Sequence, residues 1–238
     1  MPDTATHVAF DAELDALRAR LMAMGGLAES QVAQAVNALV HASGETASRV
    51  LQQEARVNAA EVETDRELWS LVARRQPTAR DLRLLVAVAK AVRELERVGD
   101  EAARIAKATH RLLGHGIQGA MQPMLKAVDA TARLALTELN QALDAFARQD
   151  ATQALAVLRA DPVLDAGFDT LLRQLVATMT DDPRTIGTGI ELVFVAKALE
   201  RVGDHAKNLS EQVIYCVAGD DVRHIEPDEV ATRVLRPV

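Results

Sequence analysis

The stretch Leu95-Glu96-Arg97-Val98-Gly99-Asp100 decides the fold, because the same six residues recur at Leu199–Asp204, 104 positions further along a chain of 238. Each copy sets a glutamate and an aspartate four residues apart, Glu96/Asp100 and Glu200/Asp204. Both copies lie inside alanine-rich stretches with helical periodicity, and on a helix residues i and i+4 share one face. The repeat therefore predicts a duplicated all-α chain in which a pair of acidic side chains was kept identical.

Working outward, apolar residues at spacings of three and four predict a first helix from near Val8 (Phe10, Leu14, Leu17, Leu21) that continues past Gly25-Gly26 with Leu27, Val32, Val36 and Leu39. Glycine there costs ~1 kcal/mol per residue relative to alanine, which weakens the helix locally without ending it. Ser43-Gly44 closes it. A second helix is expected from about Glu45 to Arg74, stopped by Gln76-Pro77, and a third from about Thr78 to Leu113, broken at Gly114-His115-Gly116. The second half repeats the plan, with helices from about Gln122 to Gln149, onward to about Thr180, and, after Asp181-Asp182-Pro183, to near Val217. Pro162 should kink or split the fifth helix, and Gly219-Asp220-Asp221 should open a loose tail. Long helices on short turns make three-helix bundles, so the expected organisation is one bundle over residues 1–114, a second over 115–218 and a tail over 219–238.

On helical geometry Glu96 and Asp100 lie about 40° apart, on a stripe shared with Leu85, Ala89, Val92 and Ala103. Glu200 and Asp204 share theirs with Gly189, Val193 and Ala196. In helix two, Glu54, Asn58, Glu61 and Asp65 accompany Val50, Leu68 and Val72; in helix five, Asp161 and Asp165 align with Glu54 and Asn58 at an offset of 107 and accompany Val157, Phe168 and Leu172. Each half thus carries carboxylates on the bundle-facing sides of two helices. Like charges in partial burial need cations or protons to compensate them. A set of carboxylates alone suits hard cations such as iron(III), manganese, magnesium or calcium, with zinc also accommodated. Two plainer readings stand beside this: a solvated acidic face, or internal ion pairs with Arg80, Arg93, Arg97 or Lys107. Gly99 and Gly203 fit close helix packing as well as ligand approach. His205 has no counterpart in the first copy and reads as a surface histidine, Trp69 as a core or inter-helix anchor, and Cys216 as a buried small hydrophobe.

Composition excludes several functions. The net charge is −7 and aromatics make up 3% of the chain, which provides neither the basic footprint nor the stacking platforms of a nucleic-acid binder. A single cysteine points to a reducing, intracellular setting. The longest apolar runs fall far short of the ~20 residues of a membrane span, and the N-terminus lacks an apolar signal segment. No phosphate loop, nucleophile elbow, catalytic triad or Glu-x-x-His di-iron pattern is present, so a non-enzyme is expected.

The stretches Phe10–Leu27, Gln76–Leu85, Leu95–Lys107, Leu199–Glu211 and Val213–Gly219 together resemble the PhoU family of bacterial phosphate regulators, over almost the whole chain. The resemblance implies two symmetric three-helix bundles in a cytoplasmic protein that is often a homodimer. It implies a negative regulator coupling the ATPase of the phosphate ABC transporter to a sensor histidine kinase, and peripheral to the membrane through those partners. It also implies multinuclear iron or zinc on the acidic repeats of some members. Carried onto this chain, the ligands are Glu96 and Asp100 with Glu54 in the first half, and Glu200 and Asp204 with Asp161 and Asp165 in the second. The chain departs from the family pattern at Glu54 and Asn58 on helix two, at Arg104 where the second copy has Asn208, and at Pro162. An arginine beside the first pair could replace a cation there, which favours the second half as the metal site.

Overall fold

A computed structural model describes residues 4–115 and 121–234. Among these residues there are seven α-helices and no strand: α1 Thr4–Val40, α2 Gly44–Arg75, α3 Ala79–His115, α4 Gln122–Arg148, α5 Ala151–Asp181, α6 Ile186–Ala218 and α7 Pro227–Val234. Helices α1, α2 and α3 pack as one three-helix bundle and α4, α5 and α6 as a second. The most extensive helix pair in the chain is α3 with α6, which lie antiparallel and bring the two bundles side by side, with α1 against α4 in support. The central member of each bundle therefore carries the repeated hexapeptide.

The periodicities read from the sequence define the core. Leu14, Leu17, Leu21, Val32, Val36 and Leu39 of α1 are all buried, and the helix runs unbroken through Gly25-Gly26. Each fully buried leucine contributes about 1.5–3 kcal/mol of apolar transfer. Tight turns join the helices at equivalent places. Ser43 caps α2 by accepting from Thr46 N at 3.2 Å, and Asp150 caps α5 by accepting from Thr152 N and Gln153 N at 2.9 and 3.0 Å. These bonds satisfy amide donors that have no partner inside the helix.

Several boundaries and roles differ from the sequence reading. Helix α1 is already formed at Thr4, and α3 continues through Gly114 to His115; Gly116 and most of the connection to the second bundle lie outside the described residues, as does Pro237. Pro162 neither splits nor ends α5: the burial of Leu158, Asp161 and Leu164 on either side outweighs the hydrogen bond that proline removes. Helix α6 begins only after a single 3₁₀ turn, Pro183–Thr185, capped by Asp182. The tail is not loose over its described length. Pro227 with Asp228 and Glu229 starts α7, Val222 and Val230 are buried, and Arg159 of α5 reaches Asp228 at 2.9 Å. Trp69 is no core anchor: it is 63% exposed, because the α2 core runs through Leu68 and Leu71 and leaves it outside.

Candidate functional site

The antiparallel α3–α6 pair sets the two hexapeptides across one groove of about 860 Å³. Glu96 and Asp100 line it from one side and Asp204 and Lys207 from the other; the segment Arg223–Pro227 ahead of α7 adds to its lining. Close packing of the central helix explains the glycine of each copy. A β-carbon on Gly99 would stand 3.2 Å from Gln31 Oε1 and 3.3 Å from Val57. One on Gly203 would stand 3.2 Å from Glu138 Oε2 and run into Leu164. Gln31 and Val57 precede Glu138 and Leu164 by the same 107 positions, so the two halves repeat this contact residue for residue.

In the second half the structure brings together Asp161 and Asp165 of α5, Glu200 and Asp204 of α6, and one acid not singled out from the sequence, Glu138 of α4. Glu138 is 4% exposed, and its Oε2 has no hydrogen-bond partner. Burial first, then the charges of Asp161 and Asp165, push its carboxyl up to about 7. Asp165 and Asp204 stand exposed at the rim of this cluster; partial desolvation first, then the charges of Asp161 and Glu200, still raise both. These mutual effects define one cluster. Its signal in the sequence was a glutamate on the buried stripe of the fourth helix, between Ala135 and Ala142.

Two lysines already sit on this cluster. Lys207 Nζ lies 2.6 Å from Oδ2 of the buried Asp161, and Lys197 donates to Glu200 Oε2. Burial alone would lower the Lys207 ammonium, but its bond to Asp161 keeps it raised. Position 103, the equivalent of 207 in the first copy, is alanine. In the first half Glu96, Asp100, Glu54 and Glu61 make no ion pair among the described residues. Glu96 is raised by burial, then by Asp100 and by Glu61. The α2 acid whose charge reaches Glu96 is thus Glu61, two turns along from Glu54.

Arg104 does not compensate the first pair. It turns to Glu101, donating to Oε1 at 2.5 Å, where Arg201 of α6 also donates at 3.3 Å. Glu101 is buried beneath both, so these arginines bridge the seam between the bundles while about half of each side chain stays exposed. His205 belongs to the same seam and is not a surface residue. It is 9% exposed and its Nδ1 lies 2.7 Å from Glu94 Oε2, which also accepts from Asn208 Nδ2 at 3.0 Å. Burial would raise the Glu94 carboxyl, but these two hydrogen bonds and the charges of His205 and Arg97 hold it below the usual range. Cys216 is buried as expected, and burial pushes its thiol up.

Among the described residues no three histidine, cysteine or acidic side chains converge at ion-holding geometry. In donor chemistry the first cluster fits a hard cation, because Glu96 and Asp100 make no ion pair among the described residues, with the charges of Arg97 and Arg93 only partly offsetting the rise of Glu96. The second does not fit one while Lys197 and Lys207 hold two of its four ligand carboxylates. No helix among the described residues is long and apolar enough to cross a membrane.

The PhoU domain model matches residues 21–109 and again 128–213, one match in each bundle. The chain is 42% identical over 229 residues to a phosphate-specific transport system accessory protein PhoU homolog of Burkholderia sp, covering 95% of this chain and 96% of that protein. It is 36% identical over 221 residues to the phosphate-specific transport system accessory protein PhoU of Escherichia coli (strain K12), covering 93% and 90%. The crystal structure of PhoU from Pseudomonas aeruginosa superposes with a TM-score of 0.83 at 41% identity, covering 89% of this chain and 100% of that one. That of the phosphate transport system regulatory protein PhoU from Streptococcus pneumoniae gives 0.82 at 25%, covering 90% and 99%. Duplicated bundles, facing hexapeptides and matches along nearly the full chain agree, and this chain belongs to the PhoU family.

Proposed function

We propose that this chain is an accessory regulator of a phosphate-specific transport system, acting without catalysis as a cytoplasmic adaptor between the transporter's ATPase and a sensor histidine kinase and keeping the phosphate-starvation response off when phosphate is plentiful. The observation that carries this reading is similarity along nearly the whole of relatives that bear that transport-system name. Helical bundles with rigid, internally paired seams suit a protein that transmits contacts. Homodimerisation and attachment to the membrane through its partners belong to the same reading. Co-purification tests it: the tagged full chain should retain the transporter ATPase or the sensor kinase of its own genome, and failure to retain either overturns it.

A compatible second reading is that of a metal-cluster protein. Glu96 and Asp100, with Glu54 and Glu61 on α2, would hold iron, zinc, manganese or magnesium, while Asp161, Asp165, Glu200 and Asp204 would do so once their lysines are displaced. A bound cation there would invert the local charge of the carboxylates and make that part of the groove attractive to phosphate. Unpaired carboxylates at the first cluster favour this reading. Metal analysis of the purified chain against Glu96→Ala/Asp100→Ala tests it, equal metal content in both being the contrary result.

A further inference from the structure

On the other side of the Arg104–Glu101–Arg201 bridge, α3 and α6 enclose a second groove of about 460 Å³. Arg104, Lys107 and Arg111 line it from α3, and Phe194, Lys197 and Arg201 from α6. Phe194 is 62% exposed and continues an open apolar stripe with Ile186 and Ile190, one helical turn apart each. At the opposite end of the same helix pair the aromatic is covered instead: Tyr215 is half-buried, with Lys90 Nζ 5.4 Å from its ring centre.

The charge of this groove runs against that of the molecule. Five cations line it in a chain of net charge −7. Glu101 is buried between Arg104 and Arg201, Glu191 is held by Arg111 through two hydrogen bonds of 2.8 Å, and Glu200 is held by Lys197. Lys107 makes no ion pair among the described residues. Positive charge therefore exceeds negative around an uncovered aromatic ring. Exposed aromatic and arginine side chains are the residues over-represented where protein partners bind most tightly, and like charge at the rim rejects wrong partners.

We infer that this groove is a docking site for an acidic segment of a partner protein, its carboxylates set against Lys107 and the arginines and an apolar side chain laid on Phe194. Arg104 to Arg111 spans about 10 Å at ~1.5 Å per residue, enough for about three extended residues. The inference rests on the adaptor reading above and names the surface through which it works.

The test measures equilibrium binding of the purified transporter ATPase and of the cytoplasmic part of the sensor kinase to the full chain, at low and at high salt, for the wild type, Phe194→Ala and Lys107→Glu. Both side chains are exposed and outside the core, so unchanged thermal melting verifies that the variants are folded. The expected result is binding of at least one partner that weakens with salt and falls about tenfold or more in each variant. Wild-type binding that neither variant alters overturns the groove and leaves the adaptor reading standing. Absence of wild-type binding to both partners overturns the adaptor reading and the groove with it. Vesicles containing an anionic phospholipid form a control: binding to them that is lost in the variants, with protein binding intact, assigns the groove to a membrane surface and overturns the inference.

Discussion

Lys207 places its ammonium nitrogen 2.6 Å from Oδ2 of Asp161 on the neighbouring helix, and Asp161 is 5% exposed. The lysine enters the acidic cluster of the second bundle as a fixed counter-charge, where the first bundle has Ala103. Breaking a buried ion pair by removing one partner strands the other charge. The Lys207 side chain is 42% exposed, so water offsets part of that cost. Lys207→Ala should therefore destabilise the chain by about 1–2 kcal/mol in urea unfolding, and Asp161→Asn in the same background should recover most of it. An unchanged unfolding midpoint in Lys207→Ala would show that the pair contributes nothing.

The same asymmetry orders the two halves for metal. With its carboxylates unpaired, the first cluster should take up manganese or iron before the second. Metal content should fall in Glu96→Ala/Asp100→Ala and stay near the wild-type level in Glu200→Ala/Asp204→Ala. Lys197→Ala/Lys207→Ala should increase uptake by freeing two carboxylates. Loss of metal in the Glu200/Asp204 variant, with retention in the Glu96/Asp100 variant, reverses this order.

Glu138 gives the cluster a pH dependence. Its carboxyl titrates near 7 in the folded chain against an ordinary value of 4.5. The folded state thus binds this proton more tightly than the unfolded state does. The sign follows: stability linked to this group is full below about 4.5 and is lost as pH rises through about 7. Glu138→Gln keeps the size of the side chain and removes the charge. In the presence of a chelator it should be more stable than wild type by roughly 1–3 kcal/mol above pH 7, a difference that disappears toward pH 4.5. Melting temperatures across that range measure it; a gain independent of pH would assign the effect to packing instead.

The glycines of the two hexapeptides differ in how much room they have. A β-carbon on Gly203 would overlap Leu164 and crowd Glu138, whereas one on Gly99 would press on Gln31 and Val57 at 3.2 and 3.3 Å. Gly203→Ala should cost about 1–3 kcal/mol, and Gly99→Ala less, as read from paired denaturant titrations. Equal or stabilising effects would mean that neither close approach constrains the helix.

The fold was legible because a six-residue repeat and a steady helical period are local signals. They located six helices to within a few residues and placed Glu96, Asp100 and Glu200 on half-buried faces, whereas Asp204 and Asp165, expected on inner faces too, stand exposed at the edge of their helices. What stayed hidden depends on partners far away in the chain. His205 looked superficial because Glu94, which holds it, lies 111 positions earlier. Arg104 looked like a neighbour of Asp100, but it bonds Glu101, the acid that Arg201 also reaches across the seam. Glu138 sits on an apolar stripe of its helix, and only the approach of Asp161 and Asp165 makes it part of a site. Trp69 was misplaced because periodicity locates a stripe but not its outer edge, and Pro162 because neighbouring burial can outweigh a lost backbone bond.

The central claim, that this chain restrains the phosphate-starvation response, is tested most directly by deleting its gene and reading a phosphate-starvation reporter in phosphate-rich medium. The account predicts high reporter activity in the deletion strain, restored to the low wild-type level by the intact gene. Reporter activity that stays low in the deletion strain would contradict it.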